Sequence, residues 1–257
     1  MIDFWDITIP ELSGDTPRRS YCYVPDSWQE DRSLRFPVLY MFDGHNVFFD
    51  EHATYGKSWG MLDYLEETHT PLIVAAVECS HDPDHGRLHE YSPFACQVDD
   101  LGCRLKGKGK DTMVWWVDKY KPFIDHYFPT LPDREHTFIA GSSMGGLMSL
   151  YAVTKYNKVF SRAAALSPSI WFAEEKLEKL LRTTRMKRDT VIYMDYGVNE
   201  LGFHPNMRKQ FAAVTSMLLE RGINLTSRIV PDGDHTEASW EKQIPIFMEQ
   251  LFYGLEL

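Results

Sequence analysis

The pentapeptide Gly141-Ser142-Ser143-Met144-Gly145 is the feature that most constrains what this chain can fold into. An apolar run at 137–140, typical of a buried strand, precedes it, and a helix-like run follows it. Only Ser143 has glycines two positions away on both sides, at Gly141 and Gly145. The pattern predicts a nucleophile elbow, a tight strand-to-helix turn that projects a serine oxygen into a reaction site.

An elbow of this kind also supplies groups that stabilise an anion. The helix that begins after Ser143 directs free N–H groups and its positive dipole end at the reaction centre, and the N–H of Met144 is the first predicted oxyanion donor. The second donor is expected from the loop after the third predicted strand, where the N–H of His45 or Asn46 is available. Glycine-containing turns at both places can also be purely structural, so the hypothesis requires catalytic partners elsewhere.

Strand-like and helix-like segments alternate along most of the chain. Runs at 4–9 and 19–24 predict an antiparallel edge, and buried strands at 36–42, 72–77, 137–140 and 191–194 alternate with helical patterns, including a helix kinked at Pro122 and a closing helix at 237–252. This order predicts an α/β fold, with a mainly parallel sheet of about eight strands and helices on both faces. We expect one domain over 1–257, with a long irregular insertion at about 79–110, where the periodicity fails.

The catalytic partners of Ser143 should follow strands, because ligands bind beyond the carboxyl ends of parallel strands. A serine nucleophile needs an imidazole base and a carboxylate that orients it, in the chain order serine, acid, histidine. His235 closely follows the predicted strand at 225–230, whereas His204 does not closely follow a strand. The acid is Glu200, beyond a glycine turn, or Asp195, at the end of its strand; we favour Glu200 and leave Asp195 open.

Composition excludes several other functions. The formal net charge of -10 argues against binding to nucleic acid or to an anionic membrane, and no apolar run is long enough to cross a bilayer. Four cysteines without a CxxC pair and an acidic N-terminus predict a cytoplasmic protein. Pro83 and Gly86 break the helix that would align the histidines and aspartates at 81–89, so we expect no metal site. We also expect no cofactor, and a homodimer stays open.

Several segments together resemble the putative esterase family of α/β-hydrolases, which includes esterase D, enterochelin-type siderophore esterases, feruloyl esterases and mycolyltransferases. The matching segments lie at 37–48, 90–93, 141–146, 167–171, 197–200 and 233–235. The resemblance implies Ser143 as nucleophile, Glu200 as acid and His235 as base, and it suggests that Tyr91 and Trp171 lie near the substrate. Asn46, in the loop after the third predicted strand, is also expected to bind the substrate. His45 and Val198 depart from the family's common glutamine and threonine, which weakens any transfer of substrate identity.

These observations predict a serine carboxylester hydrolase that acts through an acyl-enzyme on a small acyl, aryl or sugar ester. A siderophore trilactone esterase and an acyltransferase are alternatives within the enzymes. A non-catalytic binding module on the same fold is the alternative from a different class. The expected partner is a small-molecule ester.

Overall fold

One eight-stranded sheet organises the computed structural model, which describes residues 1–98 and 102–256. Its spatial order is β1-β2-β4-β3-β7-β8-β9-β10, while β5 and β6 form a separate hairpin. Only β2 runs against its neighbours, and every other pair in the large sheet is parallel. The prediction of a mainly parallel sheet with an antiparallel edge is confirmed. The strands are β1 (Ile2–Ile9), β2 (Gly14–Tyr23), β3 (Val38–Met41), β4 (Ile73–Val77), β5 (Cys96–Val98), β6 (Cys103–Leu105), β7 (Thr137–Ser142), β8 (Arg162–Leu166), β9 (Val191–Gly197) and β10 (Asn224–Val230).

Helices cover both faces of this sheet. They are α1 (Pro10–Ser13), α2 (Ser27–Glu30), α3 (Met61–Thr68), α4 (Gly86–Glu90), α5 (Gly109–Trp115), α6 (Lys121–Tyr127), α7 (Met144–Lys155), α8 (Glu174–Thr183), α9 (Met207–Glu220), α10 (Glu237–Glu241) and α11 (Ile244–Phe252). The buried side chains of α3, α10 and α11 form one core, and those of α5 to α9 form the other. None of the helices within the described ranges has the length and apolar character needed to cross a bilayer.

The strand sequences explain why two cores form. Successive side chains of a strand point to opposite faces of the sheet. In β3, Val38 and Tyr40 therefore pack into the core beside α5 to α9, while Leu39 and Met41 pack into the core beside α3 and α11. All four are at most 1% exposed. A strand buried on both faces reads as a continuous apolar run, which is why it was visible in the sequence.

The structure corrects two local expectations and adds detail to a third. The segment 79–110 contains α4 and the β5–β6 hairpin rather than only irregular chain, and its residues 99–101 lie outside the described part. Helical backbone continues from α5 through a π-helical turn at Trp116–Tyr120 into α6, and Pro122 lies in the first turn of α6, so the kink at Pro122 stays a prediction. The closing helix is divided into α10 and α11, and Pro245 lies in the first turn of α11.

Candidate active site

Ser143 lies at the turn between β7 and α7, in a backbone conformation that side chains rarely adopt. Its φ is 58° and its ψ is -120°, and this strain is held by neighbouring backbone. The N–H of Ser143 donates to the carbonyl of Leu166 at 2.9 Å, and its own carbonyl accepts from the N–H of Ser169 at 3.0 Å. A Cβ at Gly141 would lie 2.8 Å from the backbone of Gly145. The glycines of the pentapeptide are thus required by the tightness of the turn.

Glu200 and His235 meet at the carboxyl ends of β9 and β10. Oε2 of Glu200 lies 2.6 Å from Nδ1 of His235, in a site where the glutamate side chain is 0% exposed and the histidine side chain 32%. The turns that carry them touch, since a Cβ at Gly197 would lie 2.1 Å from the carbonyl oxygen of Gly233. A buried carboxylate therefore fixes the Nδ1 side of a partly exposed imidazole.

The second oxygen of Glu200 is bound by groups that the sequence did not single out. Oε1 accepts from the N–H of Gly197 at 2.7 Å and from the hydroxyl of Ser167 at 2.7 Å. The Ser167 oxygen in turn accepts from the indole N–H of Trp240 at 2.9 Å. These donors satisfy a charge that is expensive to bury alone, and they leave Oε2 directed at His235.

Asp195, the alternative acid, belongs to a different network. It lies within β9, where its carboxylate accepts from the hydroxyl of Tyr193 at 2.7 Å and from the N–H of Ser167 at 3.2 Å. Burial raises the pKa of Asp195 to about 7. Of the two carboxylates, Glu200 contacts the imidazole of His235, and Asp195 supports the turn that carries Ser167.

Ser143 and His235 line one cavity of about 780 Å³ at this edge of the sheet. The hydroxyl of Ser143 lies 3.4 Å from that of Ser169, its hydrogen-bonding partner within the described chain. The serine and the imidazole therefore share a chamber without a direct hydrogen bond between them. Catalytic hydrogen bonds are often long before substrate binds and tighten in the complex.

Two backbone N–H groups are free at the same edge. Throughout residues 1–98 and 102–256, no acceptor is hydrogen-bonded to the N–H of Met144 or to that of His45. The N–H of Asn46, by contrast, donates to the carbonyl of Asp43 at 2.8 Å. His45 is thus the available donor in this loop, and Asn46 is not.

Buried contacts hold the loop of His45 in place. Asp43 has a φ of 57°, and its carboxylate accepts from Nε and Nη2 of Arg87 at 2.7 and 2.6 Å. Burial by itself would raise the pKa of Asp43, but the guanidinium overcomes this effect and holds the pKa below its usual value. Gly44 approaches β4 so closely that a Cβ would lie 2.9 Å from the backbone of Val77.

The three residues expected near the substrate differ in position. Asn46 lines the cavity, and its side-chain amide lies 3.4 Å from Glu237, whose pKa is raised by burial. Tyr91 is 1% exposed; its hydroxyl accepts from the N–H of Asp43 at 3.1 Å. Trp171 stacks on His204 with 3.8 Å between ring centroids. Within the described chain neither Tyr91 nor Trp171 lines this cavity, and contact of the two with the substrate stays a prediction.

A mainly parallel eight-stranded sheet, a serine at a strand-to-helix elbow and a histidine–carboxylate pair at the same edge define the α/β-hydrolase fold. The family model described as "Putative esterase" matches residues 13–252. The chain belongs to this family of esterases, which confirms the resemblance drawn from the sequence.

The chain is also similar to individual proteins and solved structures. The chain is 25% identical over 211 residues to the uncharacterized protein YbbA of Bacillus subtilis (strain 168), a match that covers 80% of this chain and 79% of the relative. An IroE-like serine hydrolase from Shewanella oneidensis superposes with a TM-score of 0.77 at 18% identity, over 100% of this chain and 82% of that one. The siderophore hydrolase EstA from Aspergillus nidulans gives 0.69 at 20% identity, over 95% and 93%.

Proposed function

We propose that the protein is a serine carboxylester hydrolase that works through an acyl-enzyme. The observation that carries this proposal is the 2.6 Å contact between Glu200 and His235, on the wall of the cavity that also contains Ser143. A fully buried carboxylate behind an imidazole is the arrangement that lets a histidine take and stabilise a proton.

In the first half of the reaction, substrate binding moves the hydroxyl of Ser143 from Ser169 to Nε2 of His235. The imidazole removes the hydroxyl proton while Oγ attacks the ester carbonyl carbon, and Glu200 stabilises the resulting imidazolium through Nδ1–H. The carbonyl oxygen becomes an anion, which the N–H groups of Met144 and His45 bind.

The second half releases the products. The imidazolium gives its proton to the alcohol oxygen as the carbon–oxygen bond breaks, and an acyl group remains on Ser143. Water then enters, gives a proton to His235 and attacks the acyl carbon through a second tetrahedral anion in the same N–H pair. Collapse of that intermediate releases the carboxylic acid and returns the proton to Ser143.

The cavity supports a small-molecule ester as the substrate. Its volume of about 780 Å³ falls within the usual range of ligand pockets. Acyl, aryl and sugar esters fit this description, and so does a siderophore trilactone, which the similarity to EstA makes a specific alternative. Transfer of the acyl group to an alcohol is a further alternative, and product ratios with and without added alcohol measure it.

The test compares two adjacent serines. In Ser143→Ala, we expect kcat/KM for hydrolysis of p-nitrophenyl acetate to fall at least about a thousandfold. The same variant should no longer be labelled by a fluorophosphonate probe. Ser142→Ala, the matched control one position earlier, keeps the labelling. Full hydrolysis by Ser143→Ala contradicts the mechanism, and a folded wild-type protein that the probe does not label favours the non-catalytic binding module.

A further inference from the structure

Three side chains that the mechanism does not use meet beside the loop of His45. The ligand atoms of His45, Cys79 and His81 all lie within 4.8 Å of one another, among the described residues. The first follows β3 and the other two follow β4, and these parallel neighbours end at the same edge of the sheet. The sequence predicts no metal site among the histidines and aspartates at 81–89, and this group takes His81 from that stretch and its other two members from different positions.

The imidazole of His45 has one nitrogen without a partner. The residue is 5% exposed; Nε2 lies 3.0 Å from the hydroxyl of Thr54, whereas Nδ1 is buried without a hydrogen bond inside the described chain. Metal-bound histidines characteristically use one ring nitrogen for the metal and hydrogen-bond the other to a fixed neighbour. An unpaired buried nitrogen costs free energy, and a bound ion would remove that cost.

Cys79 and His81 differ in their burial and in the ligand atom that each offers. Cys79 is buried at 3% exposure and offers a sulfur, the ligand that soft metals prefer. The side chain of His81 is 61% exposed, so it can rotate, and Oε2 of Glu78 lies 3.8 Å from its Nε2. Tetrahedral Zn²⁺ requires ligand atoms about 3.4–3.6 Å apart, as worked from its bond lengths. The ligand atoms must therefore approach one another when an ion binds, and the exposed side chain of His81 is free to move towards the other two.

We propose that Nδ1 of His45, Sγ of Cys79 and one imidazole nitrogen of His81 bind Zn²⁺ or a similar soft divalent ion. The thiol proton leaves to solvent when the ion binds, and the fourth coordination position faces the cavity that contains Ser143. The ion inhibits hydrolysis, because the ion and its fourth ligand occupy part of the cavity that receives the substrate. Binding stands on the three side chains alone; only the inhibition rests on the proposed esterase function.

Binding is tested with Co²⁺, which reports its ligands by absorption. The wild-type protein should bind one equivalent, with a sulfur-to-cobalt charge-transfer band and the visible bands of tetrahedral cobalt, and Zn²⁺ should displace it. Cys79→Ser should lose the charge-transfer band, and His81→Ala should weaken binding more than about tenfold. His85→Asn is the matched control: His85 lies on the same cavity with a φ of 57°, which asparagine tolerates, and this variant should bind as the wild type does.

Inhibition is measured in parallel as the ratio of hydrolysis with and without Zn²⁺ within each variant. Wild type and His85→Asn should be inhibited and restored by a chelator, while Cys79→Ser and His81→Ala should resist. The absence of a charge-transfer band in the wild type, or equal metal binding by all four proteins, overturns the site. Because Ser143→Ala should bind Co²⁺ normally, a protein without esterase activity still tests the metal site, and the two proposals fail separately.

Discussion

Replacing Arg87 with methionine should destabilise the fold and impair catalysis together. The substitution keeps the aliphatic stem but leaves the Asp43 carboxylate, whose side chain is 6% exposed, without its bidentate partner. Breaking a buried ion pair by removing one member costs about 3–5 kcal/mol, and we expect about 3 kcal/mol here, because the side chain of Arg87 keeps 31% exposure. If the loop shifts so that His45 no longer donates to the oxyanion, kcat should fall by about a hundredfold or more.

The pH dependence of stability has a definite sign. In the wild type the folded pKa of Asp43 lies below its ordinary 3.8, so its charged form stabilises the fold above that value and this contribution is lost as the pH falls through the folded pKa. In Arg87→Met, burial prevails and raises the pKa, so the carboxyl destabilises the fold as the pH rises through the raised value. The difference in stability between the two proteins should therefore shrink as the medium is acidified towards pH ~4.

Urea denaturation and p-nitrophenyl acetate kinetics measure both effects in a double-mutant cycle with Asp43→Asn. Asparagine tolerates the φ of 57° at this position, and the double variant buries no unpaired charge, so the coupling free energy should be about 2 kcal/mol. The control is Arg182→Met, in an exposed pair 3.8 Å from Glu178, which should cost less than about 1 kcal/mol. Wild-type stability and kcat in Arg87→Met, or no coupling with Asp43→Asn, refute the reasoning.

Three further variants examine other parts of the site. Glu200→Gln should lower kcat by about 10³–10⁴ with little change in KM, measured by steady-state kinetics, because the amide cannot stabilise the imidazolium of His235. Asp195→Asn should keep most of its activity. The folded pKa of Asp195 is near 7 against an ordinary 3.8, so the stability that this carboxyl contributes is lost as the pH rises through about 7. In urea denaturation, the free energy of unfolding of the variant should therefore rise relative to that of the wild type at higher pH. Gly44→Ala should lose about 1–3 kcal/mol of stability and part of kcat, because its Cβ would contact Val77 at 2.9 Å.

The sequence predicted the elements of this fold because strands buried on both faces read as apolar runs. It was less informative about where β9 ends. A charged residue at position 195 suggested the end of the strand, yet β9 continues to Gly197 and places Asp195 on the same face as Tyr193. Period-two alternation therefore places the side chain of Asp195 on the face of the sheet where Tyr193 packs beside α11. Glu200, in the turn beyond β9, is the carboxylate that contacts His235.

Contacts between distant segments were not predictable in the same way. Ser167 and Trp240 are 73 positions apart, yet their hydrogen bond completes the support of Glu200. No local pattern marks such a pair, because a serine after a strand and a tryptophan in a helix are ordinary residues in those places. The stacking of Trp171 on His204 likewise depends on the path of the turn after β8, which apolar periodicity does not specify.

The segment 79–110 holds the loop of His45 in place, although its sequence shows no regular periodicity. Its helix α4 supplies Arg87 to the carboxylate of Asp43 and is followed by Tyr91, whose hydroxyl accepts from the N–H of the same residue. The helix is itself anchored to β2, because Glu90 accepts from Arg18 at 2.5 Å in a pair that is almost wholly buried. The described part of this segment therefore acts as a brace between the sheet edge and the loop of His45. Changes that loosen α4 should displace the N–H of His45 from the position where it binds the oxyanion. They should therefore lower kcat more than they raise KM.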